Sequence, residues 1–409
     1  MKKSWFLFSL FNFLIAALMG LILRGAFVWG LEWVDYRNLM HGHSHVAMLG
    51  WGYLALYALI WHRFIPKVKR EKTVYSLLFW FTQLTVVGMM VSFPIQGYAA
   101  VSIAFSSLHI VASYIFTYRV WKDHQIQNPQ IRLMLKTALI LMLLSTMGVW
   151  VLGPLAMSGD RNSTFYQVAI QFYLHFQFHG WFTFAVLALL MDAMTKGVFL
   201  HKEKFQWFYI LLLSSTVFTF SLIIFWGYRG DIPLIINGFG LVLQLSALIL
   251  FFQLVKGKMN IFLDTFPLLR TFYWLGLSSW IFKIILQTAV VVPKVALISF
   301  TLRSFMIGFI HLTMLGFISG LLFALFWKAG AWTKNGLIVA GTVSFIVGFV
   351  LTELMLFVQG LFYWLNWGLV PFHYETLFGA SALLPLGIFI ILISQMSNFG
   401  YKNANVSQL

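Results

Sequence analysis

The feature that most constrains this chain is a recurrence: about twelve apolar runs, each near the length that crosses a bilayer, alternate with short polar stretches. The runs are 5–24, 43–62, 74–94, 99–118, 136–157, 165–192, 206–227, 233–255, 270–292, 303–326, 336–362 and 375–395. Roughly 20 apolar residues make a helix as long as the hydrocarbon layer is thick. Within lipid such a helix also satisfies its own backbone polar groups, which an open strand cannot do. The expected fold is therefore all-α, a polytopic membrane protein forming one integral domain over residues 1–409. With 61% of residues hydrophobic and 9% charged, an ordinary soluble enzyme is excluded. The start, Met1-Lys2-Lys3-Ser4-Trp5, has the charge of a signal peptide, but the run continues past Gly20 without a small-residue cleavage site and reads as the first helix.

A formal charge of +16 would suggest nucleic acid in a soluble protein; here its placement has a different explanation, and no nucleic-acid partner is expected. Twenty of the 27 lysines and arginines fall before the first run, after the last, or in the loops that follow even-numbered runs. They include Arg63, Lys67, Lys69, Arg70 and Lys72 after the second run and Lys196, Lys202 and Lys204 after the sixth. By the positive-inside rule both termini are cytoplasmic, and the partners at the surface are membrane lipids. The chain has no cysteine, so thiolate metal sites and iron-sulfur clusters are excluded.

All eleven histidines lie on even-numbered runs or at their ends. Three of them, His41, His43 and His45, sit within five residues at the mouth of the second run. Intramembrane histidine is costly, so such a cluster is a functional-site hypothesis by default. On a helix His41 and His45 share a face and His43 points away, so at most two can reach one target. The stretch His45-Val46-Ala47-Met48-Leu49-Gly50-Trp51 is echoed by His311-Leu312-Thr313-Met314-Leu315-Gly316-Phe317. His175 and His179 are four apart, the spacing at which two imidazoles can hold one metal such as copper or zinc. His109, midway along the fourth run, reads either as a helix-helix hydrogen-bonding group or as a third ligand to that metal. Lys283 and Glu353, mid-span on the ninth and eleventh runs, are expected to pair or to belong to a proton path.

His45 to His179 is 134 residues and His179 to His311 is 132. Equivalent histidines thus recur every four helices, which suggests a pseudo-threefold arrangement of four-helix units, about 1–130, 131–265 and 266–400, each offering its second helix to the centre.

Twelve helices with histidines on the second, sixth and tenth resemble subunit I of the heme-copper oxidase superfamily, especially the cbb-type cytochrome oxidases and bacterial nitric oxide reductases. The resemblance covers the whole chain in architecture and short segments in sequence. It implies one low-spin heme b clamped between a second-helix histidine, His43 or His45, and His311. It also implies a bacterial inner-membrane location, a role in respiratory electron transfer or nitric oxide chemistry, and partners such as other respiratory subunits or a cytochrome or quinol donor. His179, in Phe178-His179-Gly180-Trp181, matches the family's sixth-helix copper ligand. The departures are Phe309, where the family has its high-spin heme ligand, and a seventh run without histidine. An oxidoreductase with a complete heme-copper centre is therefore not implied. The early histidine-rich segment is also similar to that of NnrS-type membrane proteins, which implies the same cofactor class. Two other readings compete: a metal-ion transporter whose histidines line a path, and a respiratory assembly protein that kept the fold and lost catalysis.

Overall fold

The computed structural model describes residues 1–195, 197–259, 266–332 and 334–404; Lys196, counted above among the basic residues, lies outside them. Among the described residues there is no strand. The chain is a polytopic all-α membrane protein. Its helices are α1 (Lys3–Trp29), α2 (Tyr36–Phe64), α3 (Thr73–Gln96), α4 (Ala100–Asp123), α5 (Pro129–Met157), α6 (Thr164–Thr195), α7 (Lys202–Tyr228) and α8 (Asp231–Val255). They continue with α9 (Pro267–Ala289), α10 (Arg303–Lys328), α11 (Gly336–Trp364) and α12 (His373–Ala404).

The ninth span departs from the expected single run 270–292. After Ala289 the chain turns by 118° into a short helix, Pro293–Thr301. Pro293 supplies no N–H to continue α9 and holds Val292 in an extended conformation, so the break is local chemistry. The start of α2 also differs. Asp35 accepts a hydrogen bond from the Asn38 N–H at 2.9 Å and begins the helix at Tyr36, well before the apolar run. Ser163 caps α6 in the same way, through the Tyr166 N–H at 3.1 Å.

The chain divides into two compact units. The first comprises Met1–His124 and Leu322–Leu409, the second Gln125–Leu321. The expected third four-helix stretch is therefore shared: α9 and most of α10 belong to the second unit, and α11 and α12 to the first. In the first unit α11 and α12 lie side by side, close enough that a Cβ on Gly341 would stand 2.8 Å from the Gly387 carbonyl. Aromatic stacks fill the space between α1 and its neighbours: Trp5 on Phe79 at 4.3 Å and Phe13 on Trp51 at 4.6 Å. In the second unit α9 crosses α10 at Gly276 and Gly320, where a Cβ on Gly320 would approach the Gly276 N to 2.8 Å. Small residues permit such close approach in a membrane, where packing replaces the hydrophobic drive.

Three helices are far more enclosed than the rest. The apolar windows of α2, α6 and α10 are 83%, 89% and 78% buried, against 39–44% in the other unbroken spans. These are the second, sixth and tenth helices.

Candidate functional site

Each enclosed helix carries the same interruption. An ordinary α-helical segment of ten, twelve or nine residues ends on His45, His175 or His311, and the next residue begins a π-helix. The π segments are Val46–Tyr53, Phe176–Phe182 and Leu312–Ser319. Wider turns of this kind are rare and gather at functional sites. Their register corrects the spacing argument: the equivalents of His45 and His311 is His175 and not His179, so the intervals become 130 and 136 residues. The sequence carries the matching signal, a histidine followed five residues later by glycine and an aromatic: Gly50-Trp51, Gly180-Trp181 and Gly316-Phe317.

A π turn breaks the regular carbonyl pairing, and polar side chains answer it. In α2 the Asn12 amide of α1 donates to the Gly50 carbonyl at 2.9 Å, while Asn12 and Gln83 exchange two further bonds at 2.8 and 3.0 Å. A Cβ on Gly50 would stand 2.9 Å from Val86 and 3.0 Å from Asn12, so this glycine serves close packing. In α6 the Thr183 hydroxyl donates to the Phe178 carbonyl, and in α10 Ser319 donates to the Met314 carbonyl, both at 2.7 Å.

His45 lies ten residues into its helix, roughly 15 Å from the helix start at the α-helical rise. The helical turns of α2 therefore begin before the apolar run that His45 opens. Its Nδ1 donates to the His41 carbonyl at 2.8 Å, and its ring stacks on Phe93 with centroids 4.2 Å apart. Nε2 is thereby the lone-pair nitrogen. His43 points to α1, where its Nδ1 bonds the Ala16 carbonyl at 2.8 Å and a Cβ on Gly20 would meet its Cε1 at 3.0 Å. His41 rests against Tyr98, 4.7 Å between centroids. The three histidines thus separate as helix geometry requires. His109 belongs to the same unit; its ring lies 4.9 Å from that of Tyr53, and among the described residues its buried Nε2 has no hydrogen-bond partner.

In the second unit the rings of His175 and His179 are neighbours, 4.7 Å apart. Each already has a protein partner. His175 Nε2 donates to the Thr216 carbonyl of α7 at 2.8 Å, and Lys283 of α9 donates to His179 Nδ1 at 2.9 Å. A metal-bound histidine ordinarily offers its other ring N–H to an acceptor. Lys283 instead places a donor there and fixes the opposite tautomer. Among the described residues no three His, Cys, Asp or Glu side chains gather as a metal-holding group. The set His175, His179 and His109 does not meet that description.

Lys283 belongs to the second unit and Glu353 to the first. Lys283 bonds His179 and, at 3.0 Å, Gln287 on its own helix. Glu353 lies within electrostatic reach of Arg24 in the first unit, a residue whose field also reaches His43 and His373. Neither arrangement is visible from spacing, because each depends on which helices pack together.

No family model matches the chain, and no curated protein matches it.

Proposed function

We propose that this chain is a multi-pass membrane protein binding one b-type heme, with His45 as an axial ligand, that serves electron transfer or a nitric oxide response. The observation that carries the reading is the dressing of His45. Its Nδ1–H is held by a carbonyl of its own helix and its ring by Phe93, so Nε2 is preset as a ligand without help from the cofactor. Hydrogen-bonded orientation of this kind is the usual support of a ligating imidazole. His43 has the same tautomer but turns toward α1 and Gly20, which favours His45. His311 in the second unit carries the same histidine-glycine-aromatic motif and π turn.

A b-type heme held by His45 would supply one-electron transfer. The residues around it would hold it, exclude water and set its orientation. The basic loops that follow even-numbered helices favour cytoplasmic termini and a bacterial inner-membrane location. A metal-cation permease is less well supported, because Lys283 sets a donor against the one adjacent histidine pair.

The test is the visible spectrum of the purified, dithionite-reduced full-length protein, produced with ample heme. A b-type α band lost in His45→Ala is expected. A heme-free wild-type protein overturns the reading.

A further inference from the structure

The start of α1 and the end of α2 meet through two buried indoles, Trp5 and Trp61, whose ring centroids are 4.5 Å apart. Two cations converge on these rings. Lys2 Nζ stands 4.7 Å from the Trp5 centroid and 5.5 Å from that of Trp61. The Arg70 guanidinium, from the segment between α2 and α3, lies 5.7 Å from the Trp61 centroid. Arg70 is held there by its Nη1, which donates to the His62 carbonyl at 3.1 Å and to His62 Nδ1 at 3.2 Å.

Among the described residues neither cation has a carboxylate partner. The nearby carboxylate of Asp123 is taken by Lys69 at 2.7 Å, and Glu71, next to Arg70 in the chain, is exposed and pairs with neither. The charges acting on His62 include Arg63 and Arg70 and no acid. A guanidinium keeps its charge in such a setting, and Lys2 is only half-buried, so solvent still reaches its ammonium. Arg70 also has donors to spare: its Nε is buried without a partner, and both of its hydrogen bonds use Nη1. Two like charges drawn onto one ring repel each other, and an anion between them removes that repulsion.

We infer that this corner of the first unit binds an anionic phospholipid, with Lys2 and Arg70 on the headgroup phosphate and an acyl chain along the neighbouring aromatic ridge of α1 and α3. The ridge is continuous with the cation pair. Trp5 stacks on Phe79 at 4.3 Å, Phe79 meets Trp80 at 5.4 Å, and Trp80 meets Phe8 at 4.7 Å; Phe8 and Trp80 are exposed. Depth agrees with a headgroup, because Lys2 precedes the span Lys3–Trp29 and Arg70 follows the span Tyr36–Phe64. Tryptophan gathers at that level of a bilayer, and basic clusters beside membrane helices hold anionic headgroups. A free inorganic anion would meet the charges but make no use of the ridge, so the lipid is the better fit. The inference does not rest on the heme reading.

The experiment titrates delipidated full-length protein in neutral detergent with dioleoyl phosphatidylglycerol and counts the lipid retained per chain by native mass spectrometry. Dioleoyl phosphatidylcholine is the neutral comparison. A single phosphatidylglycerol that phosphatidylcholine does not displace is expected, in the wild type and in His45→Ala alike. Lys2→Gln combined with Arg70→Gln should weaken its binding about thirtyfold, since each basic residue at a membrane surface is worth about fivefold. Lys202→Gln combined with Lys204→Gln removes the same charge from two exposed lysines of the second unit and should leave binding unchanged. If the Arg70 variant does not yield monodisperse protein, Lys2→Glu alone takes its place, with loss of the retained lipid expected. Equal retention of the two lipids by the wild type, or wild-type retention in the Lys2 and Arg70 variants, overturns the proposal. So does an equal loss in the Lys202 and Lys204 variant, which would mean a general basic surface, or displacement of the lipid by inorganic phosphate alone, which would mean a simple anion site.

Discussion

The π turn of α2 and the π turn of α6 are the same backbone device with different dressing. Both follow a histidine, both place glycine five residues on, and both end before a tightly packed half-helix. In α2 the histidine bonds its own helix and the position four residues beyond it is Leu49. In α6 the histidine bonds α7, and the position four beyond is a second histidine, His179, held by Lys283 of α9. A repeated backbone therefore does not mean a repeated chemistry. What hydrogen-bonds the imidazole, from its own helix or from a neighbour, decides which ring nitrogen is available.

The largest test of that contrast is all-or-none. His45→Ala should remove the heme signal, whereas His175→Ala, at the equivalent position, should leave heme content and spectrum unchanged. Pyridine hemochrome assay of both variants beside the wild type measures it. Equal loss in both would mean that the dressing does not distinguish the two positions.

Much of the fold is legible from hydropathy because bilayer thickness dictates length and lipid forbids unpaired backbone. The twelve runs correspond to α1–α12, and the histidine-bearing even helices include the three most enclosed ones. What escaped is chemistry that interrupts a run. Asp35 starts α2 seven residues before the apolar stretch through a single cap, which hydropathy does not register. The near-equal spacings about His179 concealed the better match at His175, since a glycine-aromatic pair also follows His179 directly. The partners of Lys283 and of Glu353 depend on helix neighbours, which no single-chain spacing encodes.

Next in size are the helix crossings. Gly320→Leu would drive a side chain into the backbone of Gly276, with Gly276 N only 2.8 Å from the new Cβ, and Gly276 has no side chain to move aside. We expect a loss of about 3 kcal/mol, the upper end of overpacking costs. Gly50→Ala, beside the π turn of α2, meets the side chains of Val86 and Asn12, and these can shift. Its cost should be nearer 1 kcal/mol, the lower end of the same range. Thermal unfolding of both variants in one detergent orders them; a larger shift for Gly50→Ala would contradict the reading of the two sites.

Asn12→Leu tests how α2 keeps its π turn. The side chain of Asn12 is fully buried and makes three hydrogen bonds, one to the Gly50 carbonyl and two with Gln83. Removing it strands a buried carbonyl and a buried amide, for an expected loss of about 2 kcal/mol. The paired change Asn12→Leu with Gln83→Leu should recover part of that loss, because the stranded amide is then gone. Additive losses in the double variant would show that the two amides do not act as a unit.

The π turns of α6 and α10 are held from within, and the smallest effect is expected there. Ser319 and Thr183 each stand eight residues after the histidine and donate to the carbonyl five residues back, at 2.7 Å. Ser319→Ala or Thr183→Val removes the neutral hydrogen bond to that carbonyl while the helix remains, a change of about 1 kcal/mol. In α2 the same position is Tyr53, and the clamp comes from Asn12 of α1. If internal clamps are weaker than the external one, unfolding temperatures should fall less for Ser319→Ala and Thr183→Val than for Asn12→Leu. A Ser319→Ala protein as destabilised as Asn12→Leu would mean that the π turn of α10 rests on its own hydroxyl more than on packing, and would make that helix, and not α2, the more fragile carrier of its histidine.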